Sequence, residues 1–235
     1  MAGKPLEEFV VIEIFAGTAR VSSALRFYGM KSSFGVDHLR HRSACAPISI
    51  IDLTTKRGQK LLMQWMQNPR VIGLFLAPPC GTASRARSIR LAAARFGGPR
   101  PLRSDTCPNG ISNLSFIEKN RVSKANKLYY FCAQAVKAAI KAGMVVCVEN
   151  PQYSHFWATT FWLEVAGMML YTIFHSCQFG STRQKKTMLA HNDPAFHSLH
   201  KLCPGESKAH RHDKWGLTKK TINLQHQMRQ LIHSS

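Results

Sequence analysis

Short apolar runs recur along this chain, too continuous to face water on one side, and helical patterns separate them. "FVVIEIF" (residues 9 to 15) opens the series, followed by Gly17 and a helical "ARVSSALRFYG". "SSFGVD" (32 to 37) and "ISIID" (48 to 52) come next, then a helix in "TTKRGQKLLMQWMQ" and the run "VIGLFLA" (71 to 77). Val122, Ala125, Leu128, Cys132, Ala135, Val136, Ala139 and Ile140 recur mostly at spacings of three and four. They predict one buried helix face over 122 to 140, closed by Gly143. "MVVCVEN" (144 to 150) is a further strand, "SHFWATTFWLEVAGM" a further helix, and "MLYTIFHS" and "KTMLA" two more strands. Strands buried on both faces read as near-continuous apolar runs, and strands alternating with helices of this length build βαβ units. The expected fold is α/β, a mostly parallel seven-stranded sheet with helices on both faces. Ligands of such sheets sit at the carboxyl ends of the strands. Gly17, Asp37, Asp52, Cys80 and Glu149 fall at the ends of the first five strands, so they are expected to converge on one site.

Charge narrows the partner. Against 12 Asp and Glu stand 32 Lys and Arg, a net +20, and a surface of that sign favours a polyanion, most commonly nucleic acid. The 235 residues, 45% apolar, suffice for one sizeable domain with a real core. The seven cysteines are scattered and never form Cys-x-x-Cys, which reads as neither a disulfide framework nor a zinc ribbon, so a reducing, intracellular setting is expected. The opening "MAGKPLEEFVVIEIFAG" carries two glutamates before an apolar run broken by Glu13, unlike a signal peptide or a membrane span.

Each strand-end group has a structural and a chemical reading. Gly17 sits where a nucleotide-binding turn needs a glycine, although tight strand-helix turns use one too. Asp37 follows it by 20 residues, where an acid commonly binds ribose hydroxyls; Asp37 and Asp52 read equally as helix-cap or turn residues. No Gly-x-Gly-x-x-Gly follows the first strand, which disfavours a dinucleotide and leaves an adenosine cofactor without a pyrophosphate. Cys80 alone reads as a buried thiol, but Pro78 and Pro79 stiffen the chain before it and Gly81 leaves room beside it. Nearby arginines are expected to lower its pKa and favour the thiolate. Glu149 closes an apolar strand, where a carboxylate needs a partner or a function. The connection from 81 to 120 holds Arg85, Arg87, Arg90, Arg95, Arg100 and Arg103 but only Asp105 and Glu118 as acids.

"EIFAGTAR", "GVDH", "APPCG", "VENP" and "FGSTRQKKTMLA" resemble, in order, the motifs of the DNA (cytosine-5) methyltransferases. The resemblance covers roughly residues 9 to 190 and implies a Rossmann-like methyltransferase fold that uses S-adenosylmethionine. It implies that Phe15, Ala16, Gly17, Thr18 and Pro78 line the cofactor, with Asp37 at its ribose and Asp52 at its adenine. It implies Cys80 as the nucleophile, Glu149 on the cytosine ring nitrogen, and Arg183 or Lys185 as the basic group that contacts the base. Arg85, Arg87 and Arg90 would grip phosphates of the nucleic acid. The catalytic domain is expected over 1 to 191, followed by a basic, His-rich tail over 192 to 235 with a final helix in "TINLQHQMRQLI".

The chain departs from the pattern at several points. Ala19 replaces the second glycine of the first motif, where its methyl would crowd the cofactor, and Pro151 follows Glu-Asn where valine is usual. The usual Gln-x-Arg-x-Arg reads Arg183, Gln184, Lys185, Lys186, Thr187. No room remains for a target-recognition domain after 190, so specificity would be weak, absent or supplied by a protein partner. DNA is the expected substrate, with RNA an alternative and a catalytically dead nucleic-acid-binding module a second. An amino-group methyltransferase fits worse, because Ala77 and Cys80 stand where that chemistry uses Asp or Asn and an aromatic. A monomer is expected, located in the nucleus if the source is eukaryotic. In the tail, His200, Cys203, His210 and His212 are metal-ligand types without a recognised finger spacing, so no metal is assigned.

Overall fold

The structure is a computed structural model describing residues 5–88 and 99–213. Arg90, Arg95 and the helix expected in "TINLQHQMRQLI" lie outside the described residues. Among the described residues, seven strands form one sheet: β1 (Val10–Ile14), β2 (Phe34–Asp37), β3 (Ile48–Ile50), β4 (Val71–Leu76), β5 (Val145–Pro151), β6 (Leu170–His175) and β7 (Lys186–His191). Their spatial order is β3-β2-β1-β4-β5-β7-β6. Each strand lies within or one residue beyond its expected run.

The direction of the last pairings corrects the expectation of a mostly parallel sheet. β1 pairs in parallel with β2 and β4, as do β2 with β3 and β4 with β5, but β7 runs antiparallel to both β5 and β6, so the sheet is mixed. Only residues 176–185 separate β6 from β7, with a single short 3-10 turn at Ser176–Phe179. A parallel neighbour needs a longer crossover, usually through a helix, so this short connection folds back antiparallel.

Among the described residues, four α-helices cover the sheet: α1 (Arg20–Phe27), α2 (Lys56–Trp65), α3 (Phe116–Lys141) and α4 (Thr160–Ala166). α3 buries Ala125, Tyr129, Cys132, Val136 and Ala139 in the core that holds Leu74, Leu76, Val146 and Val148. It begins six residues before the apolar periodicity does. Ser115 accepts from the Glu118 N–H and Glu118 accepts from the Ser115 N–H, a reciprocal cap that starts the helix while Phe116 and Ile117 remain exposed. The helix expected over "SHFWATTFWLEVAGM" is split into a 3-10 turn at His155–Ala158 and α4. Thr159 is extended between them, and its hydroxyl accepts from the Trp162 N–H to cap the second piece.

The chain leaves β1 for β2 and β3 on one side and returns to β4 on the other, which opens a crevice at the carboxyl ends of β1 and β4. β2 approaches that crevice so closely that a side chain on Gly35 would come within 2.6 Å of the Ala16 Cβ. Beyond β7, Asn192 donates to Met144 O and accepts from the Val146 N–H, both at 2.8 Å, pinning the strand's end to the start of β5. Lys201 then bridges to Phe174, so the tail follows the β6 edge. No helix among the described residues is long and apolar enough to cross a membrane.

Candidate active site

Cys80 is held on a corner fastened from three sides. Ala77 still donates to Ile14 O at 3.1 Å, after which Pro78 and Pro79, lacking N–H groups, leave the ladder. Their carbonyls are caught instead. The buried Asn150 amide donates to Pro78 O at 2.8 Å, and the Tyr129 hydroxyl donates to Pro79 O at 2.7 Å. Cys80 starts a 3-10 turn through Thr82. The buried Arg103 guanidinium donates to the Thr82 hydroxyl at 3.0 Å and lies over the Tyr129 ring at 5.1 Å. His155 donates its backbone N–H to Ala83 O at 2.9 Å. Tyr129, Arg103, Asn150 and His155 have no assigned part in the sequence reading. Tyr129 carried one signal, since it lies on the buried face of α3, where a phenol needs a partner. Replacing Tyr129 by Phe keeps the ring and removes the donor to Pro79; we expect a loss of about 1–2 kcal/mol in denaturant unfolding.

The thiol, a carboxyl group and an ammonium group meet at this corner. Glu149, on β5, lies opposite Leu189 of β7, and Lys185 immediately precedes β7. Lys185 Nζ stands 2.9 Å from Glu149 Oε1. Burial pushes the Cys80 thiol up to about 11, against the opposing pull of Lys185 and with a further push from Glu149. This corrects the expected thiolate: the resting group is a neutral thiol, and the cation that acts on it is Lys185 rather than an arginine of the following loop. Burial acts to lower the pKa of Lys185, but Glu149, joined by Cys80 once its sulfur ionises, outweighs that and raises it. Of the two basic candidates, Lys185 therefore faces Glu149, while the Arg183 carbonyl accepts from the hydroxyls of Ser176 and Ser181.

Across the crevice, the turn from Phe15 to Ala19 is wound tightly, with positive φ at Phe15 (61°), Gly17 (54°) and Ala19 (55°). Backbone outside the common regions costs energy and persists where its surroundings enforce it. The Gly17 N–H donates to Asp37 Oδ2 at 2.8 Å, and Ala16 donates its N–H to Val36 O. His38 engages the other oxygen of Asp37 through its backbone N–H at 2.7 Å and its Nδ1 at 2.6 Å. The Ala19 methyl is fully buried against Ala16 and Ala46, so it fills core space and does not crowd the crevice as the sequence led one to expect.

Ala19, at the start of α1, offers no side-chain cap. Glu13 supplies the acceptor instead, reaching from β1 to the Ser22 N–H at 2.6 Å. This explains the acid inside the first apolar run. Burial raises its pKa, and the bonds from Ser22 oppose the shift. We expect Glu13→Ala to cost about 1–3 kcal/mol in unfolding free energy, because it strands a buried donor at the start of α1.

The residues of this turn suit an adenosine-type cofactor. A side chain built on Gly17 would meet nothing within 4 Å, so the turn borders open space. Thr18 is buried, and its hydroxyl has no hydrogen-bond partner among the described residues. His38 occupies both lone pairs of Asp37 Oδ1, and Oδ2, which takes only the Gly17 N–H, keeps one acceptor site for a ribose hydroxyl. Pro78 follows β4, the neighbour of β1. Asp52 is exposed, and its carboxylate accepts from the Thr54 N–H at 2.9 Å and hydroxyl at 2.7 Å, which lowers its pKa. It thus also has the turn role left open for it, just ahead of α2.

The basic loop holds itself together. Arg85 pairs with Asp105 and donates to Tyr153 O; Arg87 donates to Arg100 O and Gly81 O. Arg100 grips both oxygens of Glu118, at 2.9 and 2.8 Å. Arg85 keeps half of its side-chain surface exposed and can still meet a phosphate.

No family model matches the chain, and no curated protein matches it. Solved structures with a similar chain path include an E. coli protein described as a prophage-encoded DNA modification methyltransferase, at 13% identity and a TM-score of 0.45 over 78% of this chain. The S. pombe Dnmt2 methyltransferase gives 10% identity and a TM-score of 0.48 over 85% of this chain. A short chain dehydrogenase family protein from Francisella tularensis gives 12% and 0.38 over 68% of this chain. The chain spans 46%, 57% and 60% of their respective lengths. No TM-score among them reaches 0.5.

Proposed function

We propose that this chain transfers a methyl group from S-adenosylmethionine to carbon 5 of cytosine in DNA, through a transient bond between Cys80 and the base. The observation that carries the reading is the meeting of Cys80, Glu149 and Lys185 beside a crevice whose other wall suits an adenosine cofactor. Carbon 5 of cytosine is a poor nucleophile. A sulfur adding to carbon 6 turns the ring into an enamine, the covalent route around that barrier. As the Sγ–carbon 6 bond forms, the thiol proton leaves and the ring nitrogen takes one up. The Glu149–Lys185 pair supports that exchange: Lys185 stabilises negative charge on sulfur, and Glu149 serves the ring nitrogen. S-adenosylmethionine, when bound, supplies the electrophilic methyl group. The carbon 5 proton then passes to solvent and Cys80 Sγ is expelled. The ring nitrogen gives its proton back through the Glu149–Lys185 pair to the departing sulfur, which restores the neutral aromatic ring and the thiol. The fastened corner keeps the sulfur in place through these steps, and a base in a duplex must first leave the stack to reach it. The charge of +20 favours the polyanionic substrate.

The high resting pKa of Cys80 favours a second reading, a binding module that keeps the fold without turnover. Incubating the chain with methyl-labelled cofactor and either duplex DNA or RNA, then digesting to nucleosides, separates these. Label in 5-methyldeoxycytidine is the expected result. Label confined to 5-methylcytidine would move the substrate to RNA, and binding of nucleic acid without label would favour the module.

A further inference from the structure

We propose that the chain holds a structural zinc ion, ligated by Cys177 Sγ, Cys203 Sγ, His210 Nε2 and His212 Nε2, between the β6–β7 connection and the tail. These four ligand atoms all lie within 4.8 Å of one another. Cys203 Sγ is 3.3 Å from His210 Nε2 and 3.6 Å from His212 Nε2, and the two nitrogens are 3.0 Å apart. With Zn–S near 2.3 Å and Zn–N near 2.0–2.1 Å, a tetrahedral site has edges of roughly 3.3–3.8 Å, so the spacing is close to that of a ligand shell. Four lone-pair atoms gathered at one centre, with few protons to share among them, call for a cation.

Two neighbours support the set from outside. Glu206 Oε1 lies 3.5 Å from His212 Nδ1, a carboxylate behind a ligating imidazole. The Gly205 N–H donates to Cys203 Sγ at 3.3 Å, which suits a thiolate. Both cysteines are free thiols. Two thiolates and two imidazoles in a closed set select zinc in a structural role. Binding would release the two thiol protons.

The sequence placed His200 in such a set and missed Cys177. His200 is exposed, with its backbone N–H on His197 O, whereas Cys177 reaches the cluster from the turn after β6. The ligands are therefore split across the fold, which no local spacing reveals. The ion would fasten the tail to the segment that carries Lys185. Cys203 already donates its N–H to His175 Nδ1 at 2.9 Å, Asp213 to Thr182 O at 2.8 Å, and Lys185 to the Ser176 hydroxyl at 2.8 Å.

The test uses the full chain, purified without a polyhistidine tag or chelators. Elemental analysis should find about one zinc per chain. Cobalt exchanged into the site should show tetrahedral visible absorption together with thiolate-to-cobalt charge transfer. Cys177→Ser should weaken metal binding by more than the ~10–100-fold typical of an outer-shell change, and His200→Ala should leave it unchanged. If Cys177→Ser fails to fold, alkylation of the wild-type chain decides. Cys177 and Cys203 should be protected until a chelator is added, while the exposed Cys45 and Cys107 react throughout. A metal-free chain with no tetrahedral cobalt spectrum, a Cys177–Cys203 disulfide in the native chain, or alkylation indifferent to chelator would overturn the proposal. None of these readouts depends on methyl transfer.

Discussion

Replacing Cys80 by Ser should lower methyl transfer by on the order of 10⁴-fold or more, with fold and cofactor affinity intact. A serine oxygen is a far weaker nucleophile toward carbon 6, and Cys147, another thiol that Glu149 influences, is buried within β5. The corner itself is held by the carbonyls of Pro78, Pro79 and Ala83, with donors from Asn150, Tyr129 and His155, none of which involves the sulfur. Label transfer measures the loss, and calorimetric titration with S-adenosylmethionine checks the intact crevice. A variant that keeps a tenth of the wild-type rate would remove Cys80 from the chemistry.

The second large effect concerns the charges around the thiol, and its two arms move in opposite directions. Alkylation of Cys80 should follow a midpoint near pH 11 in the wild-type chain. Lys185 stabilises the thiolate, so Lys185→Met should shift that midpoint upward; Glu149 opposes it, so Glu149→Gln should shift it downward. Methyl transfer should nonetheless fall in both. We expect about 10²–10³-fold for Lys185→Met, through lost electrostatic stabilisation, and about 10²–10⁴-fold for Glu149→Gln, through lost proton management at the ring nitrogen. A more reactive thiol with slower transfer is the signature of a carboxyl group that serves the base rather than the sulfur. If Glu149→Gln sped both reactions, Glu149 would be a mere brake on Cys80.

What could be read from the sequence divides along contact range. The central parallel strands were legible because a strand covered on both faces reads as a near-continuous apolar run, as in 71 to 77. Of the strand-end residues, Gly17 and Asp37 meet, joined by a hydrogen bond across 20 residues. The direction of β7 was not legible from its apolar pattern, because the length of the 176–185 connection sets it. The groups that hold the cysteine corner were missed for a different reason. Tyr129 bonds a carbonyl 50 residues away and Asn150 one 72 residues away, and a single polar residue in an apolar pattern does not announce its partner. Glu13 looked like an interruption of a strand and proves to cap the next helix. The thiol's ionisation was misjudged because arginines close in sequence are turned to Asp105, Tyr153, Arg100 and Gly81, while the cation that matters is distant in sequence, just ahead of β7, two strands from β4.

Trapping with 5-fluorocytosine tests the central claim most directly, because fluorine at carbon 5 cannot leave as a proton does and so arrests the base on the sulfur. With S-adenosylmethionine and a DNA duplex that carries the analogue, the wild-type chain should form a denaturation-resistant adduct whose mass includes the methylated nucleotide on the peptide containing Cys80. The adduct should be absent from Cys80→Ala. Methyl transfer to ordinary cytosine that persists in Cys80→Ala, or an adduct on any other residue, would contradict the account.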